Sequence, residues 1–375
     1  MKTALVHSDA WQRFDYGPEH PLRMERLGLT WRLMEAYGLT TLPQATVQAP
    51  EPASERVIAS YHAPEYLDVL KAANGGVAPR GAERYGLGPG DNPVFPGLWD
   101  AARVVAGGSL LAAELVASGQ AARAFHFAGG LHHAFPTRAS GFCYVNDAVL
   151  AIRHLQAQGL RVAYVDIDAH HGDGVQAGFY GDPSVLTIST HERGDYLFPG
   201  TGFVEETGVG PGVGYAVNLP LEPYTDSSVY LPAFDQVVPQ LLQAFKPDVV
   251  VAQLGIDSHR TDPLTHLALD VQGFAGAVGR IVALAPRLVA LGGGGYDLPN
   301  VARGWTAAWA AMNGVELPGA LPTAFAPDMR RYEFETPSLW DAPHAQPEPR
   351  RARAEEYVQR QIQAIRRLIF PVHGL

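Results

Sequence analysis

The alternation of short apolar runs with longer Ala- and Leu-rich segments is the feature that most constrains the fold of this 375-residue chain. The short runs are β-branched or apolar and end in Gly, Asp or His, as strands do when each is followed by a helix. They lie at Thr3–His7, Ala124–Phe127, Arg161–Asp166, Val185–Thr190, Val249–Leu254 and Arg287–Leu291. The helical segments lie at Arg23–Tyr37, Ser54–Tyr61, Leu98–Ser118, Asn146–Gln158, Ser227–Phe245, Gln272–Leu284 and Asn300–Met312. This pattern predicts an α/β fold with a mainly parallel sheet.

The pattern continues without a strong linker to about residue 316, so we predict one domain over residues 1–316. Residues 317–375 begin with a Pro-rich segment and end in an Arg-rich amphipathic helix at Arg351–Ile369, which we expect to pack on the domain. Two long segments rich in Gly and Pro, Asn74–Pro96 and Glu192–Gly214, are predicted to form the rims of a functional site.

Composition excludes several classes of protein. The 28 Lys and Arg residues against 38 Asp and Glu give a net charge of -10, so we expect no direct nucleic-acid binding. Cys143 is the only cysteine, so a metal ion would have to be held by His and carboxylates. No apolar stretch approaches the roughly 18 residues of a membrane span, and no signal-peptide core is present, so we expect a cytoplasmic protein. The sequence gives no prediction of the oligomeric state.

Carboxylates and histidines gather where predicted strands end, which is where open α/β sheets bind ligands. In an extended segment, the alternation of side chains puts Asp166, Asp168 and His170 on one side. Asp257 follows another strand. Together, Asp168, His170 and Asp257 would supply one nitrogen and two oxygen ligands and leave a position open, as in a catalytic metal site. The alternative is an Asp-rich turn in which Asp173 caps the next helix.

The remaining polar groups complete a hydrolytic chemistry. His132 and His133 are adjacent in a Gly-flanked loop and are predicted to act as general base and general acid, with Asp166 and Asp173 fixing their tautomers. Tyr296 follows four glycines and is predicted to donate to an oxyanion. These residue types favour metal-assisted amide hydrolysis.

Six ordered motifs over residues 5–310 resemble those of the histone deacetylase family, most closely its class I-like members and the bacterial acetoin-utilisation deacetylases. They are Glu19-His20-Pro21, Gly-Gly-Leu-His132-His133-Ala, Ser140-Gly-Phe-Cys-Tyr-Val-Asn-Asp147, Val165-Asp-Ile-Asp-Ala-His-His-Gly-Asp-Gly174, Phe198-Pro-Gly-Thr-Gly202 and Gly-Gly-Gly-Gly-Tyr-Asp297. The resemblance implies a single arginase/deacetylase-like α/β domain around an eight-stranded, mainly parallel sheet with helices on both faces, and makes residues 1–316 the catalytic domain.

The resemblance also assigns roles to individual residues. It implies a zinc ion, with iron as an alternative in the cell, held by the Asp168, His170 and Asp257 set. Phe142 and Phe198 match the walls of an acyl-lysine tunnel, with Gly141 lining it, and Asp91 matches a rim aspartate that binds substrate backbone amides. Arg26 matches an arginine near an internal acetate channel.

Potassium is the second cofactor that the resemblance implies. One potassium site would use Asp166, Asp168, His170, Ser189 and Thr190. The second would use Phe179, Asp182, Val185 and Tyr215.

Two positions separate the related activities. The arginase-like ureohydrolases, which hold two manganese ions, have an Asp where this chain has Gly255, so a mononuclear deacetylase is favoured. Polyamine deacetylases place an acidic residue where this chain has Leu264, so acetyl-lysine in proteins or peptides is the expected substrate. The alternatives are hydrolysis of acetylpolyamines or other small amides, and a non-catalytic acyl-lysine-binding protein.

Overall fold

The computed structural model describes residues 1–375, apart from the side chains of residues 12 and 13. Eight strands form one sheet in the order β2-β1-β3-β8-β7-β4-β5-β6, and each of the seven pairings between neighbours is parallel. The strands are β1 Thr3–Val6, β2 Ala45–Gln48, β3 Arg123–His126, β4 Val162–Asp166, β5 Val185–Glu192, β6 Ala216–Leu221, β7 Val249–Gln253 and β8 Leu288–Leu291. The predicted eight-stranded α/β sheet is therefore confirmed.

Eleven α-helices surround the sheet among the described residues. They are α1 Glu25–Ala36, α2 Glu55–Ile58, α3 Pro64–Ala73, α4 Leu98–Ala117, α5 Asp147–Ala157, α6 Asp173–Phe179, α7 Ser227–Phe245, α8 Val271–Leu284, α9 Leu298–Asn313, α10 Ala326–Arg331 and α11 Glu348–Leu368. Helices α3, α4 and α5 are neighbours, and α1, α9, α8, α7 and α11 form a second series. Within the part of the chain that the structure describes, every helix is too short or too polar to cross a bilayer.

The strands that the sequence pattern did not predict, β2 and β6, are the two edges of the sheet. The side chains of β2 are only partly buried, so this strand lacks the continuous apolar run of the central strands. Strand β6 contains Pro220, which has no N–H to donate and is tolerated at an edge. Helices α3, α6 and α10 were also not predicted.

The segment after residue 316 packs against the main body of the chain. Leu321, Phe325 and Leu339 join α1 and α9 in a small buried apolar cluster. Helix α11 lies against α7 and β6. The domain boundary at residue 316 stays a prediction.

The fold places the loops that follow β3, β4, β7 and β8 side by side, because these four strands are neighbours in the parallel sheet. The carboxyl ends of these four strands lie together at the same end of the sheet, which is where the sequence predicts a binding site.

Candidate active site

Three potential metal ligands converge at the ends of β4 and β7. Ligand atoms of Asp168, His170 and Asp257 all lie within 4.8 Å of one another, and all three residues are buried. The Nδ1 atom of His170 is 3.1 Å from Asp168 Oδ1 and 2.8 Å from Asp257 Oδ2. The predicted ligand set is thus brought together by two paired strands.

The donor set fits a zinc ion. Burial and the nearby Asp168 charge raise the pKa of Asp257, because two carboxylates this close are difficult to ionise together without a cation. One imidazole and two carboxylates leave a fourth position open, which is typical of catalytic zinc sites. The backbone leaves little room beside the set: a Cβ atom at Gly255 would lie 2.0 Å from Asp168 Oδ2.

Asp166 does not join this cluster of potential ligands, although the alternation expected of an extended segment would put it on the same side as Asp168 and His170. Its Oδ2 atom lies 2.8 Å from His132 Nδ1 and accepts a hydrogen bond from the Tyr164 hydroxyl at 2.6 Å. Strand β4 ends at Asp166, so the regular alternation of side chains does not extend through His170.

His132 and His133 face each other through their Nε2 atoms, which are 3.0 Å apart. The Nδ1 atom of His133 lies 2.7 Å from Asp173 Oδ1, in the same way that His132 Nδ1 lies against Asp166. Asp173 is the first residue of α6, and Gly172 occupies the N-cap position. Each ring therefore has a carboxylate at Nδ1, and the pair shares its Nε2 contact.

The two imidazoles differ in basicity. Burial lowers the pKa of His132, but the charges of Asp166 and Asp168 outweigh it and raise that pKa to about 9. Burial and then the charge of His132 lower the pKa of His133 to about 4. A pair of adjacent imidazoles with different pKa values is an arrangement suited to general acid and base chemistry.

Gln253 is a buried residue of this site that the sequence analysis missed. Its Nε2 atom donates to Asp168 Oδ2 at 2.7 Å and to the Gly130 carbonyl oxygen at 3.2 Å. Its Oε1 atom accepts from the Gly255 amide at 2.7 Å. Gln253 thus holds a candidate metal ligand and two loops together, and a polar residue at the end of an otherwise apolar strand is the signal that could have identified it.

Tyr296 lies beyond the four glycines that follow β8. Its ring centroid is 5.7 Å from that of Phe142 and 6.5 Å from that of His170. Burial and the nearby carboxylates raise the pKa of the Tyr296 phenol, so its hydroxyl stays protonated at neutral pH and can donate.

Arg26 supports the same glycine loop from below. It is almost fully buried, and its Nη1 atom donates to the carbonyl oxygens of Gly293 and Gly295 at 2.8 and 3.1 Å. The side chain also lines a mostly apolar cavity of about 30 Å³, together with Leu22 and Leu131. These two leucines also line a second cavity, of about 20 Å³, which the histidine pair and Tyr296 line as well.

Aromatic rings lie on either side of these polar groups. Phe198 is 5.0 Å from the His133 ring and 43% exposed, so it reaches the surface. Phe142 has φ of 68°, a strained value for a bulky residue, and its carbonyl oxygen accepts a hydrogen bond from the Tyr16 hydroxyl at 3.0 Å. Gly141 must lack a side chain, because a Cβ there would be 2.5 Å from His133 Cδ2 and 2.8 Å from Phe198 Cε1.

The two remaining predicted substrate residues, Asp91 and Leu264, are linked to the site through neighbouring side chains. Asp91 is exposed, and its carbonyl oxygen is 3.2 Å from Nε2 of His20, whose ring packs on Phe142. The amide of Leu264 donates to Asp262 Oδ1 at 3.0 Å, and Asp262 Oδ2 accepts from the Tyr296 amide at 2.9 Å. Asp262 was not singled out from the sequence, although it joins the Leu264 loop to Tyr296.

The first predicted potassium set is close in space around β4 and β5. Asp166 pairs in register with Ser189, and the Thr190 hydroxyl donates to the Asp166 carbonyl oxygen at 3.2 Å. Asp168 and His170 follow in the next loop. The assignment of potassium to these residues stays a prediction.

The second predicted potassium set lies in the turn between α6 and β5 and beside β6. The Asp182 amide donates to the Phe179 carbonyl oxygen at 2.9 Å, and the Val185 amide donates to the Asp182 carbonyl oxygen at 3.4 Å. The Tyr215 carbonyl oxygen accepts from the Thr187 amide at 2.9 Å. This site also stays a prediction.

Comparison of the sequence with known proteins gives consistent matches. The family model described as "Histone deacetylase domain" matches residues 20–312. The chain is 37% identical to the acetoin utilization protein AcuC of Bacillus subtilis (strain 168), over 99% of this chain and 98% of that protein. It is 39% identical to histone deacetylase 9 of Arabidopsis thaliana, over 84% of this chain and 75% of that protein.

Solved structures agree with these matches. An HDAC homologue from Aquifex aeolicus matches with a TM-score of 0.89 and 29% identity, over 97% of this chain and 100% of that one. An HDAC homologue complexed with SAHA matches with a TM-score of 0.90 and 30% identity, with the same coverage.

Proposed function

Because the chain belongs to the histone deacetylase family, with its arginase/deacetylase-like fold, we propose that it hydrolyses the acetyl amide of N6-acetyl-lysine in proteins or peptides and releases acetate. The observation that carries this proposal is the histidine pair beside the buried Asp168, His170 and Asp257 set. We further propose that residues 1–316 form the catalytic domain, and that the enzyme acts in the cytoplasm without binding nucleic acid directly.

Asp168, His170 and Asp257 would hold the metal, with zinc favoured by the donor set and iron as an alternative in the cell. When bound, such an ion polarises the amide carbonyl and makes water more acidic. The two potassium sites would be structural: the residues proposed for one lie on β4, after it and on β5, and most of those proposed for the other lie in the turn between α6 and β5.

His132 and His133 would move the protons of the reaction. Ionised Asp166 and Asp173 would accept from the two Nδ1–H groups, which would leave both Nε2 atoms for proton exchange. Such a pair can take a proton from the attacking water and give one to the leaving lysine amine. The neutral Tyr296 hydroxyl would donate to the oxygen on which negative charge develops.

The walls would bind the aliphatic part of the substrate. Phe142 and Phe198 would contact the lysine methylenes. The absence of a side chain at Gly141 allows the protein backbone to lie close to His133. Asp91 and Leu264 would contact the substrate at the rim, the former through backbone amides. The cavity beside Arg26 would be the exit for acetate, because a buried guanidinium attracts a carboxylate.

The decisive test compares kcat/KM for an acetyl-lysine peptide with that for acetylspermidine, with the metal content measured on the same sample. We expect the peptide to be preferred and chelation to abolish activity. The variants His133→Ala and Tyr296→Phe should each lose about 100- to 1000-fold in kcat, whereas His154→Ala, at a partly exposed surface histidine, should keep it.

Three results would overturn parts of this proposal. A strong preference for acetylspermidine would replace the peptide with a polyamine substrate. Activity that survives the chelator and both substitutions would reject the assigned chemistry. Tight binding of acetyl-lysine peptides by metal-loaded protein without turnover would indicate a non-catalytic acyl-lysine-binding protein.

A further inference from the structure

The C-terminal helix α11 contacts the loop that carries the Phe198 wall, through Arg193 at the base of that loop. The Arg193 guanidinium lies over the ring of Tyr357 on α11, with 4.6 Å between its Cζ atom and the ring centroid. The same guanidinium lies 5.3 Å from the ring centroid of Tyr196 in the loop. One cation is therefore held between an aromatic ring of the helix and one of the loop.

Glu222 joins the same elements by charge. It directly follows β6 and is only 4% exposed. Its Oε2 atom lies 3.1 Å from Arg193 Nη1, and its other carboxylate oxygen pairs with Arg353 of α11. The buried Glu222 carboxylate pairs with both arginines and therefore restrains their positions. Loss of either arginine would leave the buried negative charge poorly compensated.

Backbone hydrogen bonds link the position of Arg193 to that of Phe198. The amides of Tyr196 and Leu197 both donate to the Arg193 carbonyl oxygen, at 3.1 and 3.3 Å, so the chain turns on Arg193. Phe198 is the next residue, and its ring lies against those of His133 and His170. The ring that forms this wall is thus five residues from an anchor that α11 holds.

We propose that α11 positions the Phe198 wall, with Tyr357 and Glu222 acting through Arg193 as positioning residues for acyl-lysine binding. The choice of substrate rests on the proposed function, but the contacts do not. The lysine methylenes that this wall would contact do not react, so its displacement mainly weakens the binding of substrate and transition state equally, and raises KM more than it lowers kcat.

The first experiment is a substitution series at Tyr357. Tyr357→Leu removes the ring face and should raise KM for an acetyl-lysine peptide about fivefold, with kcat within about twofold of wild type. Tyr357→Phe keeps the ring face and should behave as wild type. Ile362→Ala, which opens the core under the same helix, should lower the melting temperature without changing KM.

The second experiment asks whether the effect passes through Phe198. In a double-mutant cycle, Tyr357→Leu should have almost no effect on KM in a Phe198→Ala background, because the wall that α11 positions is absent. Equal effects in both backgrounds, or an unchanged KM in folded Tyr357→Leu, would overturn the inference.

The dissociation constant of a linear aliphatic hydroxamate for the zinc-loaded protein gives a readout without turnover. It should rise about fivefold in Tyr357→Leu and stay unchanged in Tyr357→Phe. A wild type that binds the hydroxamate but hydrolyses no acetyl-lysine would reject the proposed function alone. A hydroxamate affinity that is unaffected by Tyr357→Leu would reject the positioning role alone.

Discussion

At the scale of single residues, the polar groups of the site are held by partners that touch neither substrate nor metal in the proposed chemistry. Gln253 donates to a candidate ligand, and Asp147 accepts from the amides of Gly130 and Leu131, which directly precede the histidine pair. Asp147 is itself buried and bonded to the Ser109 hydroxyl. Such partners keep the acting groups in one orientation, which both proton transfer and metal binding need.

The backbone at Gly255 lies too close to the Asp168 carboxylate to accept a side chain. We expect Gly255→Ala to lower zinc affinity about 10- to 100-fold, because the new Cβ would displace Asp168 from the ligand set. Zinc content after dialysis against a graded metal buffer measures this directly. Gly279→Ala, in α8 where a Cβ would meet nothing within 4 Å, is the matched control and should bind zinc as wild type does. Normal zinc binding by a folded Gly255→Ala protein would contradict the prediction.

At the scale of elements, the sequence predicts what is buried better than what is at the edge. The central strands are unbroken apolar runs, so β4, β7 and β8 were found within a residue or two. The edges β2 and β6 were missed because half-burial and a proline weaken the pattern. The candidate metal ligands could be predicted because they directly follow these central strands. Gln253 was missed because its partners Gly130 and Asp168 lie in loops after other strands, far away in the sequence.

Asp341 links the segment after residue 316 to helices of the main body of the chain. This residue bridges three elements: Oδ2 accepts from the Val271 amide at 2.8 Å and lies 2.9 Å from His259 Nε2, while Oδ1 lies 2.9 Å from Arg303 Nη2. Burial alone would raise the pKa of Asp341, but the bonds from His259 and Val271 and the Arg303 charge hold that pKa well below its usual range.

A depressed folded-state pKa contributes stability that is present above the unfolded pKa of about 3.9 and is lost as pH falls through the folded value. We therefore expect Asp341→Asn to cost about 1–3 kcal/mol of unfolding free energy at pH 7, and less below pH 4. Urea unfolding at both pH values measures the difference. Asp328→Asn, which removes a partly exposed partner of Arg32, should cost about 0.2–1 kcal/mol. A cost for Asp341→Asn that does not shrink in acid would contradict the argument.

At the scale of the whole molecule, the acidic composition and the single cysteine limit how the chain can hold a cation. The net charge of -10 includes Asp168 and Asp257, which are buried together at the carboxyl ends of the central strands, where burial disfavours two ionised carboxylates without a nearby cation. The side chains of Asp168 and Asp257 are shielded from solvent in the folded state, so we expect the metal-free protein to be less stable than the metal-bound protein. Metal occupancy should consequently affect the stability of the entire domain.

We expect removal of zinc to lower the melting temperature by about 5 °C or more, because a ligand at about 1000 times its dissociation constant stabilises the folded state by about 4 kcal/mol. Differential scanning calorimetry with and without a zinc chelator, at constant potassium concentration, measures the shift, and added zinc should reverse it. Asp257→Asn keeps the side-chain volume but removes one ligand charge, so its melting temperature should be nearly independent of zinc. A wild type with the same melting temperature in both conditions would show that the three buried side chains do not hold the ion.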